Sequence, residues 1–152
     1  STLNERELAR MRNTKLGIIF QSFELVQFFT AYENIMLPLA IRSVEYKEKV
    51  DAVCEEVGLS HRKHNLPSAL SGGEQQRVAI ARVLVADSDI IFADEPTGNL
   101  DALHGKKILD LLLYAVNQKK KTCILITHDM NIAKQMDKIY EIKDKQLILR
   151  TL

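Results

Sequence analysis

Two adjacent carboxylates, Asp94 and Glu95, close the apolar run Ile90–Ala93 and are followed at once by Pro96. Acids at the carboxyl end of a buried strand stand where ligands gather in open α/β sheets. Neighbouring strand residues face opposite ways, so the pair is no twin-carboxylate dyad. One of the two can hold a hydrated Mg²⁺ while the other orients or deprotonates a water. The plainer alternative is a polar strand end where the chain turns at Pro96. Gln21 follows a second apolar run, Leu16–Phe20, and His128-Asp129 follow a third, Thr122–Thr127. In a parallel sheet those three ends share one edge. A glutamine, a metal-binding acid, a candidate base and a histidine suit hydrolysis of a Mg²⁺-bound phosphoanhydride.

A second constellation precedes the acids. In Leu70-Ser71-Gly72-Gly73-Glu74-Gln75, Ser71 and Glu74 have the spacing of a capping box. Two glycines at a helix start are costly unless backbone must approach something closely. Free N–H groups and the positive end of the helix dipole make such a start an anion site. Both readings stand on the residues alone. The Gly105-Lys106 pair has no phosphate-loop partner glycine, and Lys107 stands where Ser or Thr is needed; G-x-x-x-x-G-K-[ST] occurs nowhere in the sequence.

The elements that must position these groups alternate. Asn4 caps a helix ending by Lys15, and Thr30 with Glu33 caps another, which Pro38 should bend or shorten. Tyr46–Val57 carries Val50, Val53, Cys54 and Val57 at helical spacing, with Gly58 as its stop. A helix at Glu74–Val85 sets Val78, Ala81, Arg82 and Val85 on one side, with Ile80 and Leu84 beside them, and another runs over about Leu103–Asn117. Short elements follow at Asn131–Met136, Lys138–Ile142 and Gln146–Arg150. Helices alternating with short apolar runs predict an α/β domain with a mainly parallel sheet.

Composition narrows the partners. The 152 residues are 46% hydrophobic, enough for one domain with a real core. With 21 Lys and Arg against 20 Asp and Glu, no bulk field argues for nucleic acid or an anionic surface. Cys54 and Cys123 read as buried reduced thiols, and no apolar run is long enough to cross a bilayer. His61, Lys63 and His64 read as a solvated loop, without the ligand spacing of a metal site. Phe23, Leu25, Phe28 and Phe29 form an aromatic-rich stretch that either fills a core or docks a partner.

LSGGEQQRVAIAR, then IIFADEPTGNLD, then LITHD, in that order and across essentially the whole chain, resemble the ATP-binding cassette (ABC) ATPases of transporters. FQSF, TAYENIMLPL and ADEPTGNLD are most similar to the branch that includes lipoprotein-release, macrolide-export and cell-division cassettes. The resemblance implies a P-loop NTPase (RecA-like) sheet with an inserted helical subdomain, at about residues 31–69, and a signature helix at 70–86. It implies ATP and Mg²⁺ as ligands. Gln21 would be the Q-loop glutamine, contributing to catalysis and to the metal, and Asp94 the metal-binding aspartate. Glu95 would be the catalytic glutamate and His128 the switch histidine. Ser71, Gly72, Gly73, Glu74, Gln75 and Asp101 would contact nucleotide, the signature residues serving the one held by an opposing cassette. Capping and phosphate binding at Ser71 then become one feature. The implied partners are a second cassette, identical or not, and a membrane permease docking near Phe23–Phe29, with no nucleic acid. The implied place is cytoplasmic, peripheral on the inner face of the plasma membrane.

The family carries its phosphate loop upstream of the Q-loop, which would precede Ser1. The expectation is therefore a partial cassette, its sheet lacking the first strand, with hydrolysis by this chain alone severely impaired. The sheet should then break up around Ile139 or pair its open edges with a neighbour. Two other readings use the same motifs: a non-catalytic module lending its Ser71 helix to a partner, and a chromosome-maintenance or repair ATPase. The latter usually carry a long insertion between Q-loop and signature, whereas only about fifty residues intervene here.

Overall fold

A computed structural model describes residues 4–42 and 45–150. The expected ranges 1–152 and 31–69 include residues 1–3, 43–44 and 151–152, which lie outside the described residues. The order is α1 (Glu5–Lys15), β1 (Leu16–Ile19), α2 (Ala31–Ile41), α3 (Lys47–Glu56), a 3-10 turn (Pro67–Ala69), α4 (Gly72–Ala86), β2 (Ile90–Asp94), α5 (Ala102–Gln118), β3 (Thr122–Ile126), α6 (Met130–Ala133), β4 (Ile139–Lys143) and β5 (Gln146–Arg150).

Local chemistry sets most boundaries. Asn4, Thr30 and Ser71 each cap a helix and exchange hydrogen bonds with a glutamate three residues on, which satisfies two otherwise orphaned donors per box. Gly58, at φ +70°, follows α3 and supplies the left-handed residue that ends it. Pro38 does not stop α2, which continues to Ile41. Its ring sits beyond the first turn, so the cost is one missing donor while Ile35 and Leu39 keep the helix anchored in the core.

β1, β2 and β3 form a parallel sheet in that order, with Ile19 opposite Ala93 and Asp94 opposite Ile126. One face, formed by Gly17, Ile19, Ile91 and Ala93, is buried under α4 and α5. The other is more open than continuous apolar strands led one to expect, with Ile124 44% and Ile126 52% exposed. Among the described residues only one helical layer covers the sheet, so the strands alternate in burial.

The centre of the fold is α4. It packs on β1 through Val83, and on α2 and α3 from its other sides. Ile80 and Leu84 are buried with Val78, Ala81 and Val85 as their spacing predicts, and Ala79, Val83 and Ala86 are buried as well, so the stripe widens to an almost continuous apolar surface. A helix enclosed by other elements needs no polar face.

β4 and β5 pair antiparallel as a separate hairpin, joined through Asp144 and Lys145, both at positive φ as a tight two-residue turn demands. They do not join the parallel sheet, so the main sheet does end before Ile139. Cys54 is buried and Cys123 half-buried, and both are free; the expectation of full burial fails for Cys123 because β3 is an outer strand of the sheet, covered on one side and flanked on only one edge.

Candidate functional site

The parallel order brings the ends of β1, β2 and β3 side by side, and with them Gln21, Asp94-Glu95 and His128. Glu95 stands in the middle. Its N–H donates to Ile126 O at 3.0 Å, which carries the β2–β3 ladder one step beyond the strands. There the chain leaves extended geometry: Glu95 has φ +43°, a left-handed conformation costing a non-glycine residue ~1–3 kcal/mol. The turn aims its carboxylate back at β3. Oε1 accepts from the His128 N–H at 2.8 Å and lies 2.7 Å from His128 Nδ1, while Oε2 accepts from Thr127 Oγ1 at 3.3 Å. The Glu95 side chain is mostly covered and the His128 ring is 86% exposed, so the pair presents an imidazole to solvent from a fixed carboxylate.

Asp94 is exposed, and among the described residues its carboxylate takes part in no ion pair or side-chain hydrogen bond. No group of three or more His, Cys, Asp or Glu with metal-ligand geometry occurs among those residues.

Gln21 is held by the turn after Pro96. Its Nε2 donates to Asn99 Oδ1 at 3.1 Å, and Asn99 Nδ2 returns a bond to Gln21 O at 2.9 Å. Gly98 leaves room for this clasp, since a Cβ there would stand 2.7 Å from Gln21 Nε2 and push the amide aside. Gln21 Oε1 accepts no hydrogen bond among the described residues and remains free for another partner.

Ser71 to Gln75 stand elsewhere, at the start of α4. Ser71 N and Oγ donate to Glu74 Oε2 at 2.8 and 2.9 Å, and Arg62 Nε lies 3.2 Å from Glu74 Oε1. The Ser71 N–H, ahead of Arg62, holds the Glu74 carboxyl below the usual carboxylate range. Glu74 is thus committed to its own chain, and Gln75 Nε2 donates to Leu70 O. The amides of Gly72 and Gly73 have no acceptor among the described residues, as the first turn of a helix leaves them. An open cleft of about 220 Å³ beside them is lined by Ser71, Gly73, Arg77 and His104, and by none of Gln21, Asp94, Glu95 or His128. The two constellations therefore face different spaces.

Asp101 caps α5, accepting from Leu103 N and His104 N, with His104 Nδ1 2.6 Å from its other oxygen. The His104 N–H and then its ring hold Asp101 low. In the aromatic stretch Phe28 is 78% exposed and packs edge-on against Phe29, whereas Leu25 is buried and Phe23 half-buried. The segment is part core and part surface. His61 and His64 lie exposed.

Four contributors have no role assigned by spacing: Asn99, which clasps Gln21; Thr127, which donates to Glu95; Gln76, which donates to Pro96 O; and Arg82, which donates to Phe23 O and Glu24 O. Each acts through a contact between elements distant in sequence. The one signal was for Arg82, whose helical spacing sets it on the packed side of α4.

A family model described as "ABC transporter" matches residues 2–98. The chain is 46% identical over 144 residues to the "Lipoprotein-releasing system ATP-binding protein LolD" of Treponema denticola, covering 93% of this chain and 64% of that protein. It is 43% identical over 153 residues to the protein of the same name from Hydrogenovibrio crunogenus, covering 98% and 66%. Among solved structures, the dimeric post-hydrolysis state of the ATP-binding cassette MJ0796 bound to ADP and Pi superposes with a TM-score of 0.82 at 36% identity. That match covers 96% of this chain and 66% of the other. The chain thus spans about two thirds of the length of the relatives it matches.

Proposed function

The chain belongs to the ABC transporter family, with that family's P-loop NTPase fold, and from this premise we propose that it is part of a transporter's ATP-hydrolysing subunit. Within the family we assign it to the lipoprotein-release branch, on the identity to the proteins so named. The observation that carries the reading is the Glu95 carboxylate, set by a strained turn at the sheet edge and bonded to His128.

The roles follow from what each group can do. Glu95 orients the attacking water and takes its proton as the water oxygen bonds to the γ-phosphorus of ATP and the bond to ADP breaks. His128 holds Glu95 and presents its ring to the transferred phosphoryl group. The free carboxylate of Asp94 and the free Oε1 of Gln21 fit Mg²⁺, which binds through one or two protein oxygens plus phosphates rather than an all-protein cage. When bound, that ion would neutralise phosphate charge. Gly72 and Gly73 amides and Ser71 Oγ bind the γ-phosphate held by a second cassette, with Gln75 and Asp101 at the same junction and Glu74 ordering the helix start.

The assembly is accordingly two cassettes, identical or not, on a membrane permease. The permease docks near Phe23–Phe29, a reading supported by the exposure of Phe28 and partial exposure of Phe29, and the complex sits on the cytoplasmic face of the inner membrane. Residues 31–69 act as a helical subdomain, 70–86 as the signature helix, and the remainder as the RecA-like core. No helix among the described residues is long and apolar enough to cross a membrane.

The test is ATP turnover and binding by the full-length protein. Glu95→Gln should abolish turnover and leave ATP binding intact. A variant that turns over ATP at the parent rate sinks the assignment. For the substrate, the protein with its permease in vesicles should release a membrane-anchored lipoprotein on adding ATP, and should not with Glu95→Gln.

A further inference from the structure

The start of α4 and the Glu95 turn face different spaces, yet one side chain joins them. Gln76, on α4 and fully buried, donates from Nε2 to Pro96 O at 2.7 Å. Among the described residues this is the one hydrogen bond between α4 and the Asp94–Pro96 turn. The other amide atom, Oε1, is buried without a partner. A buried orphan acceptor is destabilising, and an aliphatic side chain would fill the same volume without it. What the glutamine provides in exchange is a donor aimed at the carbonyl directly after Glu95.

The same helix holds a second loop. Arg82 donates to Glu24 O at 2.7 Å and to Phe23 O at 3.0 Å, gripping two consecutive residues at positive φ just beyond Gln21. Thus α4 carries Ser71 to Gly73 at its tip and, along its length, touches the loops that follow Gln21 and Glu95. Its apolar neighbours enclose it from Val78 to Ala86, so a shift at its start is resisted by close packing along its length.

We infer that Gln76 is a positioning residue that couples the two halves of the cassette. Engagement of the α4 start by the opposing nucleotide sets, through Gln76 and Pro96, the position of Glu95 on the same chain. The inference rests on the roles proposed above for Ser71 and Glu95.

The test uses the full-length protein and Gln76→Met, with Gln76→Leu as a second variant should the first fail to fold; thermal midpoints check integrity. The kcat should fall about tenfold or more while the KM for ATP stays within about twofold, as expected when a group is displaced in the transition state without loss of substrate binding. Ser71→Ala is then combined with Gln76→Met. If the two act through one linkage, the double variant is no slower than the slower single variant. Losses that multiply, or a folded Gln76 variant with parental kcat, overturn the inference. Glu95→Gln run in parallel separates the cases: if that variant keeps turning over ATP, the reading of Glu95 has failed, not the linkage.

Discussion

Glu95 Oε1 lies 2.7 Å from His128 Nδ1 and 2.8 Å from the His128 backbone N, so one carboxylate oxygen fixes both the ring and the chain that bears it. His128→Ala removes the ring contact and leaves the backbone bond. Turnover should fall by about 10²–10⁴-fold with little change in stability. A rate assay at saturating ATP decides it, and a parental rate would count against His128 as the residue that holds Glu95.

A methyl group at residue 98 would collide with Gln21 Nε2 at 2.7 Å. Gly98→Ala should therefore displace Gln21 from Asn99 and depress kcat by about tenfold or more. The loop is exposed around Asn99, so the thermal midpoint should move little. Asn99→Ala, which deletes the other side of the clasp, should give the same kinetic result.

Packing gives a sharper stability test. A Cβ on Gly17 would stand 2.3 Å from Val83 Cγ1, where β1 lies against α4. Gly17→Ala should destabilise the fold by about 1–3 kcal/mol through overpacking. Adding Val83→Ala opens the space, so the double variant should be more stable than Gly17→Ala alone in urea unfolding. Independent, additive losses would show that the two do not meet.

Acid should loosen the helix starts. The carboxyls of Glu33 and Glu74 are held below their ordinary value of 4.5, first by the backbone N–H groups of Thr30 and Ser71. A carboxyl depressed in the folded state stabilises it above the unfolded value, and that contribution is lost as pH falls through the folded one. Stability should drop as pH is lowered below about 4.5. Glu33→Gln with Glu74→Gln should flatten that limb, and an unchanged slope would remove the capping boxes as its cause.

Alkali tests the covered face of β3. Burial pushes the Cys123 thiol up from 9.0 to about 11. A thiol raised on folding contributes fully below the unfolded value and loses that contribution as pH rises toward the folded one. Stability should decline between pH 9 and 11, with less decline in Cys123→Ala. At pH 8 alkylation of native Cys123 should be far slower than after unfolding.

The helix starts at Asn4, Thr30 and Ser71 were legible because a capping box is a contact between residues three apart. The strand ends at Gln21, Asp94 and His128 were legible for a similar reason, since an apolar run and its polar end are adjacent in sequence. The burial of α4 was not. Its spacing allowed one packed side, but α2, α3 and the sheet enclose it, and that depends on elements tens of residues away. Nor could spacing show that Arg62 joins Ser71 on the Glu74 carboxylate.

By itself, the sequence determined the family, the order of the elements and the residue types at each strand end, because those are local patterns. The tertiary structure alone decided which of them touch. Glu95 meets His128 because β2 and β3 are parallel neighbours in register, and Gln21 meets Asn99 because β1 lies on the other side of β2. Gln76 reaches Pro96 because α4 packs against that same sheet. Each contact joins positions twenty or more residues apart, and packing of the core, not any spacing along the chain, sets its distance.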